Sequence, residues 1–367
     1  MICRILHIVP NTCYVSGITN VLMNYYKLID KNKYQFDFLY MDEYEENVND
    51  EVVNLGGRCF CVGNIKSFFK FSININNFCK EHFGEYSVIH LHMPFLALFF
   101  YRIKKRLKAK AFVVHAHSTK YGNTYIRNIR NLISYKMFLN KADSYFACSQ
   151  SAGESLFGKD YINNGFFMLN ICGSDRKINN IDRKKSKEEL LLSKNVVVGH
   201  VGVFCEPKNH LFIVDVFDEF LKNHKNAKLL LVGDGPLRNN VEEYVKKKNL
   251  ENYVIFTGAQ NNVDKYYLAM DVFLFPSLFE GYAMALVEAH SFGIPCVYSD
   301  IITNDINNYL KHHNSVSLDL GAKHWADVLE SALNQGTEND YSDTVIAENK
   351  YRVQLLENKY SSLSNIK

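Results

Sequence analysis

The chain has 367 residues, of which 47% are hydrophobic and 14% aromatic, enough for two cores of ordinary domain size. The formal net charge is only +3, so nothing in the charge balance demands a nucleic-acid or strongly acidic partner, and we expect no nucleic acid. Nine cysteines without a C-x-x-C pair give no zinc-site or disulfide spacing and fit a reducing cytoplasm. Since neither a signal peptide nor a membrane-spanning run is present, we expect a cytoplasmic protein, soluble or peripheral on the membrane.

In the first half of the chain, short apolar runs alternate with segments of helical periodicity. This pattern is typical of a parallel sheet covered on both faces, and it predicts one doubly wound α/β unit. Helices are predicted at Ile18–Ile29 and Ile126–Lys141. The predicted strands are Ile5–Val9, Phe36–Tyr40, Val88–Leu91, Phe112–Ala116 and Tyr145–Cys148.

The polar stretch Ser174–Glu189 interrupts the apolar pattern and is the predicted linker. Beyond it the alternation restarts, which predicts a second unit of the same kind. Its predicted strands are Val196–Val201, Leu229–Val232, Val254–Phe256, Val272–Phe275 and Pro295–Tyr298. Between the first two of these strands, apolar residues at helical spacing predict a helix packed on the sheet, formed by Ile213, Val216, Phe217, Phe220 and Leu221.

The most informative segment is Phe275–Pro295, in which a strand is followed by Glu280-Gly281 and by a helix that carries Glu288. A glycine before a helix can present backbone N–H groups and the positive end of the helix dipole to a phosphate. A carboxylate two turns into the helix can accept hydrogen bonds from a ribose diol. Two glutamates at this spacing are often structural when they occur alone, but together with this loop they suggest a nucleotide site.

This segment resembles the E-x7-E signature of glycosyltransferase family four, whose members have the GT-B fold. Three further segments agree with the family in order and spacing, namely Gly202–Asn209, Leu230–Arg238 and Phe256–Gly258. The resemblance implies two Rossmann-like domains whose parallel sheets face each other across a cleft. An acceptor-binding domain would cover residues 1–175 and a nucleotide-sugar-binding domain residues 176–342, with a C-terminal helix over 343–367 that packs back on the first domain.

The resemblance also implies roles for the residues of the second domain. Glu288 would bind the ribose hydroxyls, Glu280 would contact the donor sugar as a catalytic residue, and Lys208 would neutralise the diphosphate. A fixed ammonium group and helix N–H groups would stabilise the negative charge that develops on the leaving diphosphate. Gly258 and Gly281 complete the implied donor site, the first beside the nucleobase and the second at the phosphates.

The sequence departs from the family at two positions. Val203 stands where members usually have an arginine that shares the diphosphate with the lysine, which indicates a substitute cation, weaker donor binding or lower activity. Near the first strand, Ser16-Gly17-Ile18 resembles the family's glycine-glycine loop at the donor phosphate, but only Gly17 is present. A glycine at a strand-to-helix turn also has a structural alternative, since it permits unusual backbone angles.

Two histidine pairs follow predicted strands, His90 with His92 and His115 with His117. Both pairs fall at carboxyl ends of strands, where open α/β sheets bind ligands. Because the family has a histidine at the position of His117, the resemblance implies that this catalytic residue touches the sugar or moves a proton. His92 and Ser118 are further candidates for the same cleft, and a structural role is the alternative for any single histidine.

No D-x-D motif occurs in the chain, so we expect no metal and no cofactor beyond the donor substrate. The stretch Phe95–Lys110 combines an apolar half with six basic residues. A solvated helix end explains it, and the alternative is a basic surface facing anionic lipid.

The resemblance implies a retaining glycosyltransferase that moves a hexose or N-acetylhexosamine from a UDP-sugar to a glycan acceptor. Because members of the family often use membrane acceptors, we expect this glycan to be linked to a lipid. Bacterial surface-polysaccharide assembly, of capsule or exopolysaccharide, is the context expected by analogy. Two alternatives stay open, a UDP-sugar epimerase of the same fold and a nucleotide-binding but non-catalytic partner of a glycosyltransferase. A dehydrogenase is disfavoured because neither half has G-x-G-x-x-G after its first strand.

Overall fold

The computed structural model describes residues 2–14, 16–117, 131, 141–159, 161, 165–168, 171, 180–260, 262–280, 283–302, 314–337 and 341–366. The chain divides into two compact units. Unit 1 comprises Met1–Ile171 and Glu348–Lys367, and unit 2 comprises Cys172–Ala347. The predicted domain boundaries are 175/176 and 342/343.

Unit 1 is built on a seven-stranded parallel sheet with the order β3-β2-β1-β4-β5-β6-β7. The winding direction reverses between β1 and β4, and in sheets of this kind ligands bind at such a reversal, outside the carboxyl ends of the strands. The strands are β1 Cys3–Asn11, β2 Tyr34–Asp42, β3 Cys59–Cys61, β4 Val88–Leu91, β5 Ala111–Ala116, β6 Ser144–Ala147 and β7 Phe166–Phe167. The helices are α1 Gly17–Leu28, α2 Asn49–Asn54, α3 Phe68–Glu81, α4 Ala97–Leu107 and α5 Gln150–Phe157.

Unit 2 contains a six-stranded parallel sheet with the order β10-β9-β8-β11-β12-β13. The strands are β8 Val196–Val201, β9 Ala227–Val232, β10 Val254–Phe256, β11 Val272–Phe275, β12 Cys296–Ser299 and β13 Asn314–Val316. The helices are α6 Asn180–Glu189, α7 His210–Leu221, α8 Arg238–Lys247, α9 Asp264–Ala269, α10 Met284–Ser291, α11 Gly321–Leu333 and, continuing into unit 1, α12 Tyr341–Ser364.

Neighbouring residues of the central strands of unit 2 enter two different cores. Val197 and Leu230 belong to one buried cluster, whereas Val198 and Leu229 belong to the other. Since successive side chains of a strand point to opposite faces, both faces of the sheet are covered. The apolar helix predicted after the first strand of this unit is confirmed as α7, and its predicted core residues are buried. The predicted architecture of two Rossmann-like α/β units with parallel sheets is therefore confirmed.

All ten predicted strands are present, with ends within two residues of the prediction. Three short strands at or near the sheet edges, β3, β7 and β13, were not predicted, because two or three residues carry no periodicity. The helix predicted at the start of the chain is confirmed as α1. The other helix predicted in this half falls on 126–141, of which the structure describes only residues 131 and 141.

The linker prediction is wrong over its second half, because Asn180–Glu189 forms helix α6 within unit 2. Arg183 is buried and its guanidinium donates a hydrogen bond to the carbonyl of Phe292. Lys187 Nζ lies 2.6 Å from a carboxylate oxygen of Asp271. Arg183 and Lys187 thus have fixed partners elsewhere in unit 2, which a polar sequence pattern does not reveal.

The C-terminal helix α12 is fastened to unit 1 by residues of its second half. Tyr360 is fully buried, and its hydroxyl lies 2.8 Å from Nδ1 of His90. Glu357 accepts a hydrogen bond of 2.8 Å from the backbone N–H of Asp30. Among the helices that the structure describes, none is long and apolar enough to cross a bilayer.

Candidate functional site

Three loops meet at the carboxyl edge of the unit 2 sheet, after β8, β9 and β10. The N–H of Gly202 donates to the carbonyl of Val232, and the N–H of Gly233 donates to that of Gly258, both at 3.0 Å. Gly233 has φ +135°, and a Cβ atom at this position would lie 2.1 Å from the carbonyl oxygen of Gly202. Only glycine allows this approach, so the loops leave backbone rather than side chains at the edge.

Lys208 and Glu280 form an ion pair at this edge. Lys208 ends the short 3-10 turn Glu206–Lys208 after β8, and Glu280 follows β11. Nζ of Lys208 lies 2.6 Å from Oε1 of Glu280 and 4.7 Å from the centroid of the Phe275 ring. The side chains are only 17% and 13% exposed. The ammonium group is therefore held in place by a charge-assisted hydrogen bond in a largely desolvated position.

Backbone bonds join the same two loops. The N–H of Leu278 donates to the carbonyl of Pro207 at 2.7 Å, and the amide of Asn209 donates to the carbonyl of Pro276 at 3.2 Å. The loops that carry Lys208 and Glu280 are thereby tied together by backbone as well as by the ion pair. Lys208 and Glu280 are 72 positions apart in the sequence, and the structure places them in direct contact.

Glu288 lies on α10, where its carboxylate is partly buried. Desolvation, with a smaller contribution from Asp264, raises the pKa of Glu288 to about 7 against the opposing effects of the Tyr267 hydrogen bond and of Lys208. The Tyr267 hydroxyl donates to Oε2 at 2.9 Å. A carboxyl group that is half protonated near pH 7 can both accept and donate hydrogen bonds, which suits a diol.

The remaining donor-site candidates lie on loops. Gly258 has φ +73°, and a Cβ atom there would lie 3.4 Å from Nη1 of Arg238. Arg238 itself pairs with Asp234 and Glu242. Val203 is 43% exposed at the edge formed by these loops. Gly281 lies outside the described residues.

Two buried histidines near Lys208 were not predicted. The ring of His210 stacks on Phe204 at 4.0 Å between centroids, and Nδ1 of His200 lies 2.9 Å from the carbonyl of Leu274. Burial, and then the neighbouring Lys208, lowers the pKa of His210 to about 3. The pKa of His200 is also lowered by burial, so both rings are neutral and serve as packing beneath the loop that carries Lys208. No motif in the sequence marks them.

In unit 1, the structure brings the predicted residues His92 and His117 together. They follow β4 and β5, and Nδ1 of His92 lies 2.8 Å from Nε2 of His117. Burial lowers the pKa of His117 to about 3 and that of His92 well below its ordinary value. Both imidazoles are thus neutral at physiological pH. Ser118 lies outside the described residues.

Gly17 is exposed and is the first residue of α1, with Ser16 as N-cap. The Ser16 hydroxyl accepts a hydrogen bond of 3.4 Å from the N–H of Thr19. Residues inside a helix have helical backbone angles, so the turn does not require a glycine for its conformation. This geometry favours a role for Gly17 as exposed backbone at a helix N-terminus, where an anion can approach.

Sequence comparison finds two family models on the chain. Glycosyltransferase Family 4 matches residues 15–160, and Glycosyl transferases group 1 matches residues 182–351. The chain is 30% identical over 341 residues to the putative glycosyltransferase EpsF of Bacillus subtilis, which covers 91% of this chain and 88% of EpsF. It is 29% identical over 269 residues to the capsular polysaccharide biosynthesis glycosyltransferase CapH of Staphylococcus aureus, covering 71% of this chain and 64% of CapH.

Structure comparison finds the same fold in the crystal structure of Anabaena Alr3699/HepE in complex with UDP and glucose. The TM-score is 0.79 at 16% sequence identity, with 99% of this chain and all of that chain covered.

Proposed function

Since this chain belongs to glycosyltransferase family 4, we propose that it transfers a hexose or N-acetylhexosamine from a UDP-sugar to a glycan acceptor with retention of configuration. The chain is a glycosyltransferase of bacterial polysaccharide biosynthesis with the GT-B fold. The observation that carries the finer proposal is the Lys208–Glu280 pair, which lies on the same sheet edge as Glu288.

The donor nucleotide is proposed to lie along the carboxyl edge of the unit 2 sheet. The backbone groups around Gly258 face the nucleobase, and Glu288 binds the ribose hydroxyls. The support for Glu288 is its raised pKa of about 7, which leaves a proton available for one of two hydrogen bonds to a diol. HepE supports the choice of UDP, since it was crystallised with UDP and glucose.

The bond that breaks joins the anomeric carbon to the β-phosphate oxygen, and the electron pair leaves with UDP. The acceptor oxygen forms the new bond on the same face, and its proton passes to the leaving phosphate oxygen. Lys208 and the N–H groups at the start of α10 stabilise the charge that grows on the diphosphate, so the step needs no metal. Glu280 contacts the donor sugar, and the neutral imidazole of His117 offers a hydrogen bond to it.

The acceptor is proposed to be carried by a lipid, with unit 1 resting on an anionic membrane surface. The buried face of α4 consists of Ala97, Phe100, Ile103 and Leu107. Six basic residues lie on the rest of α4 or directly after it, and five of them are exposed, namely Arg102, Lys105, Arg106, Lys108 and Lys110. Lys104 instead pairs with Asp143 at 2.7 Å. A cluster of exposed cations attracts anionic headgroups.

Flotation with vesicles of anionic lipid tests the membrane surface. Each basic residue near the headgroups contributes about 1 kcal/mol, so exchange of Lys105, Arg106 and Lys108 for glutamine should weaken binding roughly 100-fold, and added salt should weaken the wild type. Exchange of the exposed Lys225 in unit 2 is the matched control. Equal flotation of all variants would contradict this part of the proposal.

A panel of UDP- and GDP-sugars tests the donor site by thermal stabilisation and by slow donor hydrolysis. One UDP-sugar should stabilise the wild type and the control Glu251→Gln, whose side chain is exposed, but not Glu288→Gln. Turnover of that donor with release of UDP supports a transferase. A changed sugar still attached to UDP would indicate an epimerase, and binding without turnover would indicate a non-catalytic partner.

A further inference from the structure

Five histidines lie side by side on one face of the unit 1 sheet. His7 pairs in register with His90 on the neighbouring strand, and His92 follows two residues later on the same face. His115 continues the row on the next strand, and His117 follows the end of that strand. The rings of His90 and His92 have centroids 4.3 Å apart, and those of His115 and His117 are 4.0 Å apart. The proposed transfer reaction uses only one of these five side chains, His117.

The ring nitrogens form two short chains of contacts. Nε2 of His92 lies 3.0 Å from Nδ1 of His7, so that His117, His92 and His7 form one chain. Nε2 of His90 lies 3.2 Å from Nδ1 of His115, and His90 contacts Tyr360 at its other nitrogen. Each chain ends in a buried nitrogen, Nε2 of His7 and Nε2 of His115, without a hydrogen-bond partner among the described residues. Buried ring nitrogens are normally satisfied, so Nε2 of His115, which lies beside His92 and His117, requires an explanation.

We propose that His92, His115 and His117 bind one divalent transition-metal ion, with Zn²⁺ as the type. One ring nitrogen from each of the three lies within 4.8 Å of the others. Imidazole nitrogens are ligands for zinc, copper and nickel, whereas magnesium and calcium require oxygen. Three histidine ligands leave a fourth coordination position open.

The surroundings of the three histidines favour a metal site. The side chains of His92 and His115 are buried, and that of His117 is partly buried at the end of its strand. With the metal on Nδ1 of His92 and on Nε2 of His115, their other nitrogens can donate to His7 and His90. Outer hydrogen bonds of this kind orient ligating histidines. The neighbouring strands hold the ligands on a rigid support.

Access to solvent distinguishes this triad from a second one. His7, His90 and His92 also bring three nitrogens within 4.8 Å, but all three side chains are buried. His117 is partly exposed at the end of its strand, so an ion can reach the first triad from the carboxyl edge of the sheet. The site consists of unit 1 residues alone, and the donor-site variant Glu288→Gln should bind the ion as the wild type does.

Co²⁺ is the probe, because its visible ligand-field absorption reports coordination directly and independently of any transferase assay. The full chain, stripped with chelator and dialysed, should bind one Co²⁺, and Zn²⁺ should displace it. His115→Phe and His117→Ala each remove a proposed ligand and should weaken Co²⁺ binding by more than about 100-fold. His7→Phe removes only a hydrogen-bond partner of a ligand and should weaken it by about 10- to 100-fold. His324→Gln, which removes an exposed histidine of unit 2, should leave binding unchanged.

Circular dichroism and thermal unfolding identify any variant that fails to fold, and His117→Ala, at a partly exposed position, remains informative if His115→Phe does not fold. Absence of ligand-field bands in the wild type would overturn the proposal. The proposal would also be overturned if folded His117→Ala bound Co²⁺ as the wild type does. The same holds if His7→Phe lost Co²⁺ binding while His115→Phe kept it.

Discussion

Replacing Lys208 by methionine removes the ammonium group while keeping most of the side-chain volume. The change leaves the Glu280 carboxylate, which is 13% exposed, without the partner 2.6 Å away. Breaking a fully buried pair costs about 3–5 kcal/mol and breaking a surface pair about 0–1 kcal/mol. For this largely buried pair we expect about 2 kcal/mol, a fall of about 4–8 °C in the Tm of unit 2.

The same substitution should lower kcat by about 100- to 1000-fold if Lys208 carries charge from the leaving diphosphate, as removal of one transition-state donor does in other enzymes. Stability and activity can be separated with the double variant Lys208→Met/Glu280→Gln, in which no unpaired charge remains. Its stability should recover by about 1–2 kcal/mol, because the uncompensated carboxylate is gone. Its kcat should stay low.

The assays are thermal unfolding without ligand and UDP release under saturating donor. Glu280→Gln alone separates the part of the activity loss that belongs to the glutamate, and Lys225→Met, at an exposed lysine, is the matched control. The reasoning is refuted if Lys208→Met keeps kcat within a few-fold of the wild type, or if the double variant regains both stability and kcat. In either case the pair only joins two loops.

Three further predictions follow from the same sheet edge. The pKa of Glu288 is raised from about 4.5 to about 7 in the folded protein, so the wild type loses stability as the pH rises through this range. Glu288→Gln cannot ionise and should therefore be more stable than the wild type at pH 8, by at most about 3 kcal/mol, but not at pH 4. Denaturant unfolding at the two pH values measures this difference. Gly233→Ala should lower the free energy of unfolding by more than about 3 kcal/mol and abolish UDP binding, because the new Cβ atom would collide with Gly202. Gly336→Ala, which has open space around it, should lower it by about 1 kcal/mol. Equal losses of stability in the two variants would contradict the close approach. Val203→Arg should tighten UDP binding about fivefold in calorimetry through a second cation, and unchanged affinity would mean that Val203 does not face the diphosphate.

The long strands could be predicted from the sequence because buried parallel strands are continuous apolar runs, such as Val196–Val201. Helix α6 could not, because its polar pattern resembles a linker and its stability depends on partners more than 80 positions away, such as Asp271. The short strand β3, Cys59–Cys61, forms only through pairing with β2. Its three residues give no local signal.

The candidate site divides in the same way. The resemblance identified Lys208, Glu280 and Glu288 one by one, but the sequence gives no reason for the first two to touch. Part of the histidine row could be predicted from the sequence, because His92 and His117 follow predicted strands and could be assigned to a sheet edge. His7 lies inside a strand of ordinary apolar pattern and joins the row only through the register of β1 with β4.

The ion pair also affects how the donor can be held. Without a ligand, Glu280 neutralises Lys208, so a diphosphate must share the ammonium group or draw it away, and part of the attraction is lost in the ground state. Negative charge on the leaving oxygen grows as the sugar–phosphate bond breaks, which shifts the balance from Glu280 toward the phosphate. Lys208 should therefore contribute more to the transition state than to donor binding, and such an interaction raises kcat rather than affinity. With Val203 in place of a second cation, we expect weak donor binding together with a strong dependence of kcat on Lys208.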